Sequence, residues 1–231
     1  MSLQLVIGNK NYSSWSMRPW VLMSQLGIPF QEQRLRFDFT EGSAFRQAVA
    51  RVSPAGLVPV LLDDGFAVWD TLAITEYLHE RFPERGVWPS DAQRRARARA
   101  IAAEMHAGFG ALRSHCPMNI EAALHDVGRQ IWAEQAAVRH DVARIESMWA
   151  EALAVSGGPM LFGAFSAADA FYAPVCMRLR TYALPVSDPT HAYIERVTAL
   201  PAVARWIDEA LAEHDFLDFE EPYRRLPASG P

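Results

Sequence analysis

The chain contains very little lysine and no long apolar run. Lys10 is the only lysine among 22 basic residues, and the 231-residue chain carries a formal net charge of -5 at pH 7. A net negative charge argues against broad nucleic-acid binding, which needs a basic face. No apolar stretch approaches the length of a membrane span. We therefore expect neither nucleic acid nor a membrane among the partners.

Cysteine is also scarce, since Cys116 and Cys176 are the only two and lie far apart. They form no CxxC motif, and such sparse use is more typical of a reducing compartment than of a disulfide framework. The amino terminus lacks the basic and apolar regions of a secretory signal. No HExxH, GxGxxG or P-loop motif occurs. We expect a cytoplasmic protein with no tightly bound metal or nucleotide cofactor.

The first eighty residues alternate between strand-like and helix-like patterns. Apolar or alternating segments at residues 3–8 and 30–37 predict strands, and the spacing over residues 15–26 predicts a helix. Asp63-Asp64-Gly65 between two short apolar runs indicates a hairpin. A helix is expected at residues 70–82. Strands and helices in this order predict a mixed four-stranded sheet with a right-handed crossover.

The rest of the chain is predicted to be helical. Residues 83–89 read as a linker, after which Ser90 and Gln93 match a capping box. One helix is expected to carry Ile101 to Leu112 on its apolar face, and a long amphipathic stripe covers residues 120–153. We predict an α/β domain at residues 1–83, a linker at 84–91 and an all-α domain at 92–231.

The segment Ser-Pro-Ala-Gly-Leu-Val-Pro-Val-Leu at residues 53–61 is the most informative in the chain. A proline that leads into a strand suits a cis turn, which would leave the backbone groups of Val58 facing outward before Pro59. Asp70-Thr71 supplies N-cap chemistry to a helix whose free N–H groups could hold a carboxylate. Together they predict a peptide-binding edge, although Asp70 and Thr71 could simply cap the helix.

These motifs resemble those of the cytosolic glutathione transferases. Residues 53–59 are similar to the family's Asn-Pro-x-x-x-Val-Pro segment, with serine in place of asparagine. Asp70-Thr71 resembles the acidic-Ser/Thr pair that holds the γ-glutamyl end of glutathione. Ser166-Ala-Ala-Asp169 resembles the family's buried N-capping box.

The segment Tyr-Ser-Ser-Trp-Ser-Met-Arg at residues 12–18 resembles the serine-type active site, and most of all the zeta-class pattern Ser-Ser-Cys-Ser-x-Arg. Trp15 stands where that class has cysteine. By this likeness Ser13, five residues before Arg18, is the expected thiolate donor. Ser14 is the next candidate, and Ser16 and Tyr12 remain open. These serines could also do no more than cap the helix that follows.

The resemblance implies a thioredoxin-like domain with a cis-Pro59, an all-helical substrate domain and a homodimer. It implies glutathione as a substrate rather than a tightly bound cofactor, and a detoxifying transfer to a small electrophile. The glutathione-binding residues would be Val58, Pro59, Asp70, Thr71 and Arg18. The electrophile site would draw on Tyr12, Trp15, Met105, His106, Phe109, Arg113 and Tyr172.

Two other functions stay open. The first is a glutathione-dependent isomerase similar to maleylacetoacetate isomerase, in which Arg178 and Arg180 could pair with a dicarboxylate substrate. The second is a non-catalytic binding or regulatory protein, because a fold does not determine a function.

Overall fold

A computed structural model describes residues 2–225 of the chain. Its amino-terminal part is an α/β unit with four strands and three helices. In chain order the elements are β1 (Leu3–Ile7), α1 (Ser14–Gln25), β2 (Gln31–Arg34), α2 (Ala44–Ala50), β3 (Val60–Asp63), β4 (Phe66–Trp69) and α3 (Thr71–Arg81).

The four strands form one mixed sheet in the order β2-β1-β3-β4. β1 pairs in parallel with β2, and the β1–β3 and β3–β4 pairs are antiparallel. Leu5, Val6 and Ile7 are completely buried, as expected of a central strand that is covered on both faces. Asp64 and Gly65 both have positive φ, which a two-residue hairpin turn of the Asp-Gly type requires. The predicted sheet is confirmed.

The two features predicted at the sheet edge are present. The Val58–Pro59 peptide bond is cis. Asp70 caps α3, because its Oδ1 accepts the Leu72 N–H at 2.8 Å. Asp70 lies in the left-handed region with φ 76°, so its backbone turns sharply between β4 and α3. These local features place Val58 and Asp70 at the same end of the sheet.

The remainder of the described chain is helical. Its helices are α4 (Ala92–Ala107), α5 (Gly110–His115), α6 (His125–Glu134), α7 (Ala136–Ser156), α8 (Ala167–Thr181), α9 (Asp188–Thr198) and α10 (Pro201–Leu211), with 3-10 turns at Pro83–Arg85 and Asp218–Glu220. No helix in residues 2–225 combines the length and apolarity needed to cross a membrane.

Three helix boundaries differ from the sequence prediction. Asp91, not Ser90, caps α4 through the Arg94 N–H. The helix expected to continue to Leu112 ends at Ala107, and Phe109 adopts a φ of 55° before α5 begins. The stripe over residues 120–153 is divided at Gln135 between α6 and α7. In the two cases where a predicted helix is divided, both pieces contribute residues to one core, so the apolar period continues across a break that it does not reveal.

Helix α8 is the centre of the molecule and joins the two units. Nearly all of its residues are buried, and it packs against α1 and α4. Its start is the predicted capping box, in which Asp169 Oδ2 accepts the Ser166 N–H at 2.9 Å. Asp169 Oδ1 also accepts the Leu161 N–H at 3.0 Å and the Tyr193 hydroxyl at 2.9 Å. Asp169 thus ties three segments together in the interior.

After α10, residues 213–225 return across the first unit; we call them the return segment. The side chains of Glu213 and Asp215 accept hydrogen bonds from the Lys10 N–H and the Asn9 side chain. Leu217 packs with Phe37 and other apolar side chains in a small second core. The return segment therefore forms one wall of the space between the two units.

Candidate functional site

The crevice between the two units consists of two adjoining cavities. The larger, of about 530 Å³, contains Ser13 and Ser14 and is here called the serine lobe. The smaller, of about 260 Å³, contains Asp70 and Thr71 and is called the aspartate lobe. Trp15, Leu57 and Val58 line both.

Ser13 is held at the start of α1 by a short chain of hydrogen bonds. As the N-cap residue it accepts the Ser16 N–H, with Oγ 3.4 Å from the nitrogen. The hydroxyl oxygens of Ser13 and Ser16 are 2.7 Å apart, and Ser16 Oγ accepts the Gly8 N–H at 3.1 Å. In the structure Ser13 donates to Ser16. Because both groups are hydroxyls, the pair can reverse, so that Ser16 donates to Ser13 and the Ser13 proton is free for a ligand in the serine lobe.

Ser14 is held by a buried cation. Arg178 on α8 donates from Nη2 to Ser14 Oγ at 3.1 Å, and from Nη1 to the carbonyl oxygen of Cys116. Burial lowers the pKa of Arg178 to about 10, which leaves it protonated at neutral pH. Ser14 therefore accepts from a guanidinium and can donate its own proton into the same lobe.

Tyr12 lines the serine lobe, but its hydroxyl is hydrogen-bonded within the protein. The hydroxyl donates to Glu221 Oε1 of the return segment at 2.7 Å. Burial and the hydrogen bond to Glu221 raise the pKa of Tyr12 to about 12. This geometry argues against Tyr12 as the thiolate donor, because the Tyr12 hydroxyl proton is already hydrogen-bonded to a carboxylate.

The aspartate lobe brings together four of the residues predicted to bind glutathione. Val58, Pro59, Asp70 and Thr71 all line it. His106, at the end of α4, contacts two of these residues from outside the lobe. Its Nε2 is 3.2 Å from Asp70 Oδ2, and its Nδ1 is 3.3 Å from Thr71 Oγ1. His106 was expected at the electrophile site and lies instead beside the glutathione residues.

Trp15 separates the lobes and is surrounded by positive charge. The Arg18 guanidinium lies 4.1 Å from the centre of the Trp15 ring, and that of Arg113 lies 5.0 Å from it. Arg18 is 2% exposed and lies behind Trp15, outside both lobes. Burial and the charges of Arg178 and Arg113 lower the pKa of Arg18 to about 9. Arg18 can therefore support the site through Trp15, but it does not line the space where a ligand would lie.

Three residues expected at the electrophile site lie in the core. Met105 and Phe109 are 1% and 7% exposed and belong to the main apolar cluster. The Tyr172 hydroxyl donates to the Ile101 carbonyl at 3.0 Å, and its ring packs on Trp149. None of the three lines either lobe, because Met105 of α4, Tyr172 of α8 and Phe109 between α4 and α5 all turn into the core.

The serine lobe includes residues that sequence reasoning missed. Its aromatic residues come from the loop after β2 and from α2. Its other residues come from α5, from the segment after α5 and from the return segment. These residues are Phe37, Phe39, Phe45, Ser114, Pro117, Met118 and Glu220. Most are distant in sequence from any motif, so only the apolar alternation at Phe37 offered a signal.

Neither cysteine belongs to the crevice. Cys116 and Cys176 are buried and free. Burial raises the pKa of Cys116 to about 12 and that of Cys176 further. Neither thiol is suited to act as a thiolate nucleophile.

Two family descriptions match most of the chain. The description "Glutathione S-transferase, N-terminal domain" matches residues 12–81, and "Glutathione S-transferase, C-terminal domain" matches residues 92–209. The first range contains the serines and Asp70-Thr71, and the second contains His106, Arg113 and Arg178.

Individual relatives are similar over part of their length. Dichloromethane dehalogenase of Methylorubrum extorquens is 37% identical over 68 residues, which are 29% of this chain and 23% of that protein. The probable maleylacetoacetate isomerase 2 of Drosophila melanogaster is 28% identical over 171 residues, 74% of this chain and 72% of that protein. The chain spans between 23% and 41% of the length of the first four curated relatives that it matches.

Solved structures support the fold. A glutathione transferase homolog from Burkholderia, solved with bound glutathione, superposes with a TM-score of 0.67 at 22% identity. The superposition covers 92% of this chain and all of that one.

Proposed function

This chain belongs to the glutathione S-transferase family, and we propose that it is a glutathione transferase which binds the tripeptide across both lobes of the crevice. The thiolate of the bound peptide would then add to, or displace a group from, a small electrophile. What carries the proposal is one arrangement: two serines at the start of α1 line a cavity that adjoins the cavity lined by Asp70 and Thr71.

The aspartate lobe suits the γ-glutamyl end of glutathione. The Asp70 carboxylate can pair with the γ-glutamyl ammonium group, and the Thr71 hydroxyl can donate to the γ-glutamyl carboxylate. That carboxylate would also lie at the amino terminus of α3, where free N–H groups favour an anion. The main chain of Val58 lies between the lobes and can bind the cysteinyl residue by backbone hydrogen bonds. The sulfur would then point into the serine lobe.

Ser13 is the proposed thiolate donor. Lowering a thiol pKa by about 2 units requires roughly 2.7 kcal/mol of preferential stabilisation of the thiolate. A hydroxyl that donates to a charged group contributes about 1.5–3 kcal/mol. The start of α1 adds about 0.3–1 kcal/mol. Ser13, as the N-cap residue, provides both contributions, and Ser14 with its guanidinium partner adds positive potential at the same place.

The rate gain from ionisation alone is modest. A fall of about 2 pKa units increases the thiolate fraction roughly 25-fold at neutral pH, but nucleophilicity falls with a slope of about 0.4–0.5. The net effect is a few-fold. Most of the acceleration must therefore come from holding glutathione and electrophile together in the crevice.

The serine lobe indicates the kind of electrophile. Phe37, Phe39 and Met118 provide apolar walls, while Arg113 and Arg178 add positive charge. An aromatic or apolar electrophile that carries a carboxylate would suit both features. The same two arginines favour a second candidate, a glutathione-dependent isomerase of a dicarboxylate. Arg180, named for that role from the sequence, is exposed and lines a separate groove, so Arg113 replaces it as the partner of Arg178.

Calorimetry with glutathione, followed by a panel of electrophiles with and without a carboxylate, tests the proposal. A transferase binds glutathione and consumes it with an electrophile. An isomerase converts maleylacetone while glutathione is regenerated. Binding without turnover of any compound would favour a regulatory protein, and absence of binding would contradict the proposed site. A homodimer and a cytoplasmic location accompany the proposal as expectations of the family.

A further inference from the structure

His106 lies where the helical unit meets the aspartate lobe. It occupies the last turn of α4, and both of its ring nitrogens face the start of α3: Nε2 faces Asp70 at 3.2 Å and Nδ1 faces Thr71 at 3.3 Å. Its ring packs edge-on against Trp15, with the ring centres 5.0 Å apart. The imidazole is therefore bound to both side chains that are proposed to hold the γ-glutamyl end.

The protonation of His106 determines what Thr71 can do. A neutral imidazole has one donor and one acceptor nitrogen. Because the Asp70 carboxylate only accepts, Nε2 carries the proton and Nδ1 accepts from the Thr71 hydroxyl. The single Thr71 proton is then used within the protein. A protonated imidazole donates from both nitrogens, so Thr71 Oγ1 becomes an acceptor and its own proton can turn toward the lobe.

We propose that His106 is a positioning residue whose protonation turns the Thr71 hydroxyl toward the γ-glutamyl carboxylate, so that glutathione binding takes up a proton. This inference rests on the proposed function, because it concerns the same glutathione site. It adds to that function a dependence of glutathione affinity on pH, which does not follow from the roles of the serines or of Asp70 as the cap of α3.

The charges around His106 allow such a change. Asp70, at the start of α3, favours the protonated imidazole, whereas Arg18 of α1 and Arg113 of α5 oppose it. Burial is the largest effect, and the pKa of His106 lies below its usual value. The empty site therefore holds mostly neutral imidazole at neutral pH. A bound γ-glutamyl carboxylate adds a negative charge near Nδ1, while its ammonium group would be separated from the ring by the Asp70 carboxylate.

The sign of the effect follows from linkage. Glutathione that binds the protonated form more tightly raises the pKa of His106 in the complex. Affinity is then greatest below the pKa of the free protein and falls as the pH rises through the pKa of the complex. For one linked proton the slope cannot exceed tenfold per pH unit. We expect a loss of about 10-fold between pH 5.5 and pH 8, comparable to one hydrogen bond to a charged group.

The test is titration calorimetry with S-methylglutathione, which has no thiol to ionise. Wild-type protein is compared with His106→Gln, whose amide cannot titrate in this range, and with His191→Gln as the matched control. His191 is exposed and lines the separate groove beside Arg180. Measurements in two buffers of different ionisation enthalpy count the protons taken up on binding.

We expect the wild type and His191→Gln to take up as much as one proton on binding and to lose affinity about 10-fold between pH 5.5 and pH 8. The affinity of His106→Gln should not change over this pH range. If His106→Gln does not fold, the imidazole resonances of the wild type provide the same test, because the pKa of His106 must rise on addition of S-methylglutathione. Two results would overturn this inference and leave the proposed function standing. One is a wild-type affinity that stays constant or increases as the pH rises, and the other is a pH dependence in His106→Gln equal to that of the wild type. Absence of binding at every pH would overturn the proposed function as well.

Discussion

Replacing Ser13 with alanine should raise the thiol pKa of bound glutathione. In the structure Ser13 is the N-cap residue of α1 and lines the serine lobe, and its hydroxyl oxygen is 2.7 Å from that of Ser16. Removal of this donor loses about 1.5–3 kcal/mol of thiolate stabilisation, which corresponds to a pKa increase of roughly 1–2 units. Turnover with an aryl halide should fall at neutral pH, while the affinity for S-methylglutathione should stay within a factor of about two.

The substitution also costs stability, and this cost can be separated. The cap bond to the Ser16 N–H is long at 3.4 Å, so its loss should reduce the free energy of unfolding by about 0.5–1 kcal/mol. Ser43→Ala is the matched control, because Ser43 caps α2 through the Arg46 N–H at 3.2 Å and does not line the crevice. Ser43→Ala should lose similar stability and leave the thiol pKa unchanged.

The assay is the ultraviolet absorbance of the thiolate, followed against pH with glutathione bound to each variant. Ser14→Ala and Ser13→Thr complete the series, since threonine keeps a hydroxyl at position 13. We expect Ser13→Ala to give the largest increase in pKa and Ser13→Thr to restore most of the effect. An unchanged thiol pKa in Ser13→Ala would refute the role of Ser13. A large increase in Ser14→Ala alone would move that role to Ser14.

Arg178→Met should raise the KM for a carboxylate-bearing electrophile by about 10-fold more than it raises the KM for the neutral analogue. Arg180→Met, the control, should change neither KM. Equal effects of Arg178→Met on the two KM values would contradict an anion-binding role for Arg178. Tyr12→Phe should lower the free energy of unfolding, measured by denaturant titration, by about 1–2 kcal/mol, because the buried Glu221 carboxylate loses one hydrogen-bond donor. The kcat of this variant should change less than twofold, and a large decrease in kcat would restore Tyr12 as a candidate thiolate donor. Asp169→Ala should lower the unfolding free energy by about 3 kcal/mol or more, since it leaves the Leu161 N–H without an acceptor, and a loss below 1 kcal/mol would contradict the structural role of the capping box.

The glutathione side of the crevice could be predicted because its geometry is local. Pro59 leads into a strand, Asp70 caps the helix that follows, and Asp64-Gly65 makes the hairpin between the two strands. Each depends on residues within a few positions of one another. Short-range backbone preferences therefore place Val58 and Asp70 at one end of the sheet.

The electrophile side could not be predicted in the same way because it is assembled by tertiary packing. The sequence shows which residues of α4 and α8 lie on one helix, but not which face meets the other unit. Met105 and Tyr172 turn into the core, whereas Arg178, on the same helix as Tyr172, turns toward Ser14. A break at Gly108 redirects the chain, and the apolar spacing alone does not distinguish it from a continuous helix.

Long-range partners were missed for the same reason. Tyr12 resembles a catalytic tyrosine in the sequence, but its proton is bound to Glu221, which lies 209 positions away. His106 was expected with the electrophile and instead faces Asp70 and Thr71 across the junction of the two units. Both outcomes depend on how the helical unit and the return segment pack against the first unit.

The most direct test of the proposed site is a crystal structure of the protein with glutathione bound. The account predicts the γ-glutamyl end beside Asp70 and Thr71, the cysteinyl residue against Val58, and the sulfur within hydrogen-bonding distance of Ser13 Oγ. A tripeptide bound elsewhere, or a sulfur beyond the reach of both Ser13 and Ser14, would contradict it.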